Sequence, residues 1–75
     1  MVNKKSSPLR KEFAENIRKF RMRSGLTQEQ LAGEAKLHRT YIGTVERGEQ
    51  NISIDNIYKI AKALKIPAKE LLTTS

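Results

Sequence analysis

The chain has 75 residues, a net charge of +7 and no cysteine. A chain of this length forms a single domain. Without cysteine it has no disulfide bonds and no cysteine-ligated zinc site, and the lone His38 cannot form a metal site by itself. No apolar run reaches the roughly 18 residues of a membrane span, and the N-terminus is charged rather than apolar. We therefore expect a cytoplasmic protein without a signal peptide.

The positive charge is concentrated near the N-terminus. Residues 1–23 contain eight Lys or Arg and two Glu, for a net charge of +6, and the rest of the chain contributes +1. This asymmetry favours a polyanionic partner, either nucleic acid or an anionic membrane surface. The alternative is a solvated helix that follows a disordered basic tail.

The first helix is predicted to begin at Pro8. Residues 1–7 have no periodicity and are predicted to form a flexible basic arm, which leaves residues 8–75 as the domain. Ser7 is a suitable N-cap for a helix with proline at its first position. The helix is predicted to end near Arg23, with Gly25 as a left-handed C-terminal cap. Its apolar face consists of Leu9, Phe13, Ile17 and Phe20, which recur at spacings of four, four and three.

Two short helices follow. Thr27 and Gln30 form a capping-box pattern that opens the second helix. A bend around Lys36–Leu37 leads to a third helix from about Arg39 to Arg47, which Gly48 ends. The positions predicted to be buried are Leu31, Ala32 and Ala35 in the second helix, and Ile42 and Val45 in the third.

The C-terminal third is predicted to hold two more helices. Ser53 caps the fourth, and Ile52 with Ile57 resembles a hydrophobic staple. Pro67 begins a short fifth helix. No stretch alternates as a strand does, so the fold class is all-α, with five short helices. The predicted inner positions are Ile54, Ile57, Ile60, Ala61 and Leu64 in the fourth helix, and Leu71 in the fifth.

The central segment "GLTQEQLAGEAKLHRTYIGTVERG" resembles the Xre-type, lambda-repressor-like helix-turn-helix domains. The resemblance covers about residues 9–72, and "RTYIGTVERG" is also similar to the recognition helix of restriction–modification controller proteins. It implies a compact five-helix domain whose helices 2 and 3 form the helix-turn-helix. It also implies a homodimeric transcription regulator that binds a pseudo-palindromic operator, for example at its own promoter. The matching features are Gly25–Gln28, Leu31–Ala32, Arg39–Ile42 and Glu46–Gly48.

The third helix carries the candidate base-reading residues. A rotation of about 100° per residue places Arg39, Thr40, Gly43, Thr44 and Arg47 on or near the face opposite Ile42 and Val45. Arginine can donate two hydrogen bonds to guanine, and threonine offers a hydroxyl or a methyl group. We expect Arg39, Thr40 and Thr44 to contact bases. A merely solvated polar face is the alternative.

Four residues are predicted to contact the DNA backbone. The resemblance implies that Gln28 binds a phosphate at the start of the second helix. Arg47 and His38 are also expected near phosphates, although His38 could serve only as the cap of the third helix. Tyr41 could place its hydroxyl on a phosphate or pack half-buried, and both alternatives stay open.

Four further residues are assigned structural roles. The resemblance implies an ion pair between Arg21 and Glu46 that joins the first helix to the third. Some apolar surface near the C-terminus should remain after the core is filled, so Ile66 and Leu72 are expected in a dimer interface. The sequence also departs from the family pattern, with Lys36 where glycine is common at the turn. Gly43 weakens the third helix relative to alanine, and it either allows close approach of the backbone to DNA or simply leaves a gap.

Other functions fit the sequence less well. A phage-repressor or antitoxin-type regulator is the nearest alternative, followed by a protein-interaction module of the coactivator kind and a membrane-active basic peptide. An enzyme is not expected, because cysteine nucleophiles, phosphate-binding glycine loops and clustered carboxylates are missing. No cofactor, metal or small-molecule ligand is expected. The expected partner is double-stranded DNA, with RNA polymerase in addition if the protein is an activator.

Overall fold

The first helix, α1, spans Pro8–Arg23. The computed structural model describes residues 8–73, so the predicted basic arm at 1–7 lies outside the described residues. α1 buries Phe13, Ala14 and Ile17. Its C-terminal end is followed by Gly25, whose φ of +73° is the left-handed conformation predicted for a cap.

Three further α-helices follow, each opened by a side-chain cap. They are α2 (Gln28–Ala35), α3 (Arg39–Glu46) and α4 (Ile54–Leu64). The predicted capping box at the start of α2 is confirmed, since Thr27 Oγ1 accepts from the Gln30 amide and Gln30 Oε1 accepts from the Thr27 amide. Ser53 Oγ accepts from the Asn56 amide at the start of α4, as predicted.

One hydrophobic core joins these helices. α2 packs against both α3 and α4, while α1 contacts α3, α4 and the C-terminal segment. No helix within residues 8–73 is both long and apolar enough to span a membrane. The core side chains that are most completely buried come from every element: Ile17, Leu31, Ile42, Val45, Ile60 and Leu71.

The prediction of five α-helices was wrong at the C-terminus. The described part of the chain has four α-helices, and Ala68–Leu72 forms a single 3-10 helix. The Glu70 amide donates to the Pro67 carbonyl at 3.0 Å, the three-residue spacing of a 3-10 turn. A segment of five residues has too few hydrogen bonds to offset the cost of nucleating an α-helix. Leu71 is nevertheless fully buried, as predicted.

Two apolar residues predicted to be internal are on the surface. Leu9 is 55% exposed and Ile54 is 81% exposed. Both lie in the first turn of their helices, where the chain has only begun to approach the core. Ile54 also lies at the edge of the apolar stripe of α4, because residues 57, 60, 61 and 64 cluster on a neighbouring face. Periodicity therefore identified α1 and α4 correctly but extended their buried faces by one turn.

Asn16 is the one buried polar residue among those described, and it ties the C-terminal segment to α1. Its Nδ2 donates to the carbonyl oxygens of Leu71 and Thr73, both at 2.9 Å. These bonds hold the 3-10 helix in place, so that Leu71 fills the core.

We expect Asn16→Ala to lower the free energy of unfolding by about 1–3 kcal/mol, because it leaves the buried Leu71 carbonyl without its donor. Asn51→Ala is the matched control, since Asn51 is an exposed asparagine that accepts one bond from Arg10. It should change stability by about 0.5 kcal/mol or less. Urea unfolding of both variants measures the difference, and equal effects would contradict a structural role for Asn16.

Candidate nucleic-acid interface

The turn between α2 and α3 depends on one left-handed residue. Lys36 has φ +59° and ψ +43°, the conformation for which glycine is usual at such a turn. The Leu37 amide donates to the Ala32 carbonyl at 2.9 Å and the Lys36 amide donates to the Gly33 carbonyl at 3.3 Å. A lysine in this conformation costs roughly 1–2 kcal/mol. These two hydrogen bonds satisfy two of the last four carbonyls of α2 and hold the turn.

His38 caps α3. Its Nδ1 accepts a hydrogen bond from the Thr40 amide at 3.2 Å. Because Nδ1 is the acceptor, the neutral ring carries its hydrogen on Nε2, where it can be donated. His38 is exposed. Its two predicted roles are therefore compatible, since one ring nitrogen orders the helix and the other could meet a phosphate.

Buried side chains fix the orientation of α3. Ile42 and Val45 are fully enclosed in the core, and Ala32 of α2, also buried, permits the close contact between the two helices. Arg39 and Thr40, in the first turn of α3, are both exposed. The structure therefore brings two of the three predicted base-reading side chains to the outer surface at the N-terminal end of this helix.

Thr44 lies in a different environment. It is half-buried, and its hydroxyl donates to the Tyr41 carbonyl at 2.8 Å within α3. Its hydrogen is therefore engaged inside the helix. What remains available for a base edge is the methyl group and an oxygen lone pair, and the predicted base contact stays a prediction in that form.

Tyr41 is half-buried and packs against the core. Its hydroxyl oxygen accepts a hydrogen bond from Asn56 Nδ2 at 3.0 Å, which ties α3 to the first turn of α4. Because the hydroxyl is the acceptor here, its own hydrogen can still be donated to a phosphate. The two interpretations of Tyr41 are thus not exclusive. Sequence reasoning missed Asn56, which offers no signal beyond its position after the Ser53 cap.

The predicted pairing of Arg21 with Glu46 is present in the structure. Arg21 Nε donates to Glu46 Oε2 at 2.6 Å and Nη2 donates to Oε1 at 3.1 Å. Arg21 Nη1 also donates to the Leu26 carbonyl at 2.8 Å. The Glu46 side chain is only 4% exposed and that of Arg21 13%. The pair therefore links α1, the turn before α2 and the end of α3.

Gln28 belongs to the same network, which the sequence did not indicate. Its Nε2 donates to Glu46 Oε1 at 3.0 Å. The amide has a second hydrogen, so one donor can satisfy Glu46 while the other reaches outward. Gln28 is exposed at the first position of α2. Its predicted phosphate contact stays a prediction, now with a defined orientation of the side chain.

The remaining predicted residues lie on the surface or at its edge. Arg47 is exposed and its Nε pairs with Glu49 Oε1 at 3.1 Å, a surface pair that sequence reasoning missed. Of the two residues predicted for a dimer interface, Ile66 is half-buried against the core and Leu72 is 45% exposed.

Comparisons with known proteins place these features in context. The profile of a family described as helix-turn-helix matches residues 17–71. The chain is 51% identical over 61 residues to control protein C.BamHI of Bacillus amyloliquefaciens, covering 80% of this chain and 75% of that protein. It is 49% identical over 61 residues to control protein C.SmaI of Serratia marcescens, covering 81% and 73%.

The fold is also similar to a solved structure. The crystal structure of the restriction–modification controller protein C.AhdI from Aeromonas hydrophila superposes with a TM-score of 0.81 at 45% sequence identity. The match covers 83% of this chain and 94% of that chain.

Removing one member of the Arg21–Glu46 pair should be far more damaging than removing one member of the surface pair. We expect Glu46→Ala to lower the free energy of unfolding by about 3–5 kcal/mol, because it leaves the Arg21 guanidinium enclosed without its carboxylate. For Glu49→Ala the expected loss is below about 1 kcal/mol, since Arg47 and Glu49 are each 58% exposed.

Both variants would be followed by urea unfolding at neutral pH. Domains of this kind are stable by only about 5–15 kcal/mol, so at the lower end of that range Glu46→Ala would be partly unfolded even without denaturant. Similar unfolding curves for the two variants would show that the Arg21–Glu46 pair is energetically no different from a surface pair.

Proposed function

The chain belongs to the helix-turn-helix family, and on that premise we propose that it is a sequence-specific DNA-binding regulator of transcription that controls a restriction–modification operon. The observation that carries the proposal is the orientation of α3. Ile42 and Val45 hold it against the core, while Arg39 and Thr40 project outward from its first turn. Recognition helices of this motif enter the major groove with their N-terminal residues at the bases.

Electrostatics and the relatives support the same function. The net charge of +7 suits a polyanionic partner. Relatives that are about half identical to this chain are named control proteins, and a solved controller protein has the same fold. In this proposal Arg39, Thr40 and the methyl group of Thr44 read bases. Gln28, His38, Tyr41 and Arg47 bind the sugar–phosphate backbone.

A homodimer is part of the proposal, because one recognition helix reads too few base pairs to define an operator. Two-fold partners place their recognition helices one turn of DNA apart, about 34 Å. Apolar surface is available for such an interface. Leu72 lies beside Leu9, Ile52 and Ile57 around a shallow apolar groove, and the exposed Ile54 lies two residues beyond Ile52. We therefore extend the predicted interface from Ile66 and Leu72 to include Ile54.

The DNA-binding proposal predicts specific recognition through Arg39. The wild-type protein should prefer duplex DNA from upstream of its own gene over a scrambled duplex by about 10³-fold or more at physiological salt. Arg39→Ala should weaken specific binding by about 1–3 kcal/mol, while Arg39→Lys retains the charge but loses the planar fork that bonds guanine. Fluorescence anisotropy across a salt series measures all three proteins on both probes.

The Arg39→Lys variant separates recognition of the base sequence from general electrostatic attraction to DNA. It should bind scrambled DNA as the wild type does and lose most of the preference for the specific probe. If upstream DNA shows no preference, a duplex selected from a randomised pool replaces it. A wild-type protein that prefers no sequence from either source, or an Arg39→Ala variant with unchanged specificity, would refute the proposed function.

The dimer predicts concentration-dependent sedimentation. At tens of micromolar the wild-type protein should sediment as a dimer, and Leu72→Glu should sediment as a monomer because a carboxylate would be enclosed between two copies. Met22→Glu is the matched control, since Met22 is a 60% exposed apolar residue on α1. It should leave the dimer intact. A strictly monomeric wild type at this concentration would rule out the interface.

A further inference from the structure

Gly43 has no evident structural reason to be glycine. It lies inside α3, where glycine is among the least favourable residues for a helix. The sequence placed it on or near the outward face, but in the structure it is buried, next to the side chains of Arg47 and Gln28. Gly25 and Gly48, by contrast, have φ values of +73° and +74° that favour glycine. Gly43 is not in that conformation.

Neighbouring atoms do not require glycine either. A Cβ atom at this position would meet Arg47 Nη1 and Gln28 Oε1, each at 3.5 Å. Both distances are ordinary van der Waals contacts, and both atoms are the ends of flexible side chains. Neither the backbone conformation nor the packing of the free protein therefore excludes alanine, which favours helix more strongly.

A hollow lies next to Gly43, between the start of α2 and the outer face of α3. Its volume is about 220 Å³. The two arginines, Gln28 and Thr40 offer hydrogen-bond donors, and Glu29 is the one acidic residue in the lining. The amides of Gln28 and Glu29, the first two of α2, have no partner within their helix and add positive potential. The lining residues are Gln28, Glu29, Arg39, Thr40, Gly43 and Arg47.

We infer that the missing side chain at Gly43 admits a phosphate group of the DNA backbone into this hollow, so that Gly43 sets how closely α3 approaches the duplex. The inference rests on the proposed function and assigns Gly43 a positioning role within it. A phosphate fits the lining because donors and positive charge predominate there, and phosphate oxygens are acceptors only. Glycine commonly occurs where the backbone must approach a ligand closely, because it has no side chain.

Gly43→Ala tests the inference, and Gly33→Ala is the control for the effect of alanine on helix stability alone. Gly33 lies inside α2, is exposed, and would meet no atom within 4 Å if it carried a Cβ. Both substitutions should raise the midpoint of thermal unfolding by about 4 °C or more, because each replaces a helical glycine by alanine. Only Gly43→Ala should weaken binding to the specific duplex, by about tenfold or more.

The salt dependence identifies the group that is excluded. If a phosphate contact is lost, the slope of log affinity against log salt should decrease by about one for Gly43→Ala and stay unchanged for Gly33→Ala. Weaker binding with an unchanged slope would overturn the phosphate assignment in favour of a base edge.

Two other outcomes would overturn the role of Gly43 altogether. One is a more stable Gly43→Ala that binds DNA as the wild type does, and the other is a less stable Gly43→Ala, which would show that packing requires the glycine. Failure of the proposed function is distinguishable, because then the wild-type protein itself would prefer no DNA sequence and Arg39→Ala would change nothing.

Discussion

The enclosed pair between Arg21 and Glu46 is the interaction on which the geometry of the DNA-facing surface depends. Arg21 reaches from α1 to the end of α3 and to the Leu26 carbonyl, while Glu46 also accepts from Gln28 at the start of α2. One carboxylate thus sets the relative positions of three helices. Apolar packing of Ile42 and Val45 fixes which face of α3 is turned inward, although hydrophobic attraction itself is not directional. A two-pronged arginine–carboxylate contact is directional, so it adds a defined position for the C-terminal end of α3.

The recognition helix, α3, has a low intrinsic tendency to form a helix. α3 has eight residues and includes Gly43 and the β-branched residues Thr40, Ile42, Thr44 and Val45, all of which disfavour helix relative to alanine. Helices of this length are not stable in isolation. Its helical form therefore depends on the local His38 cap and on tertiary contacts: the buried side chains of Ile42 and Val45, the Glu46 carboxylate and the Asn56–Tyr41 bond. Residue types that suit DNA are tolerated because the surrounding domain supplies the order.

The ends of the helices were largely predictable from the sequence, because the signals that mark them are local. Thr27 with Gln30, Ser53, Gly25 and Gly48 mark helix ends through chemistry that acts within a few residues, and all four have the predicted conformations. The failures have non-local causes. The 3-10 form of the C-terminal segment follows from its length after Pro67 and from its attachment to Asn16, 55 residues away from Leu71 in the chain. The exposure of Leu9 and Ile54 depends on where neighbouring helices end. The Thr44 hydroxyl and the Gln28 amide are engaged by partners that no spacing rule identifies.

The difference between local and non-local interactions also explains why only part of the candidate site could be predicted from the sequence. Side chains proposed to contact DNA can be named from the motif, but those that orient them cannot, because orientation is a property of the packed domain. Asn56 illustrates this point. In sequence it is an unremarkable asparagine in the first turn of α4, yet in the structure it holds the hydroxyl oxygen of Tyr41 and thereby directs the remaining O–H bond. A residue outside the proposed DNA contacts can thus influence which atom of its neighbour is available for hydrogen bonding. The presentation of the recognition helix in so small a domain therefore depends on the contacts beneath it as much as on the residues along it.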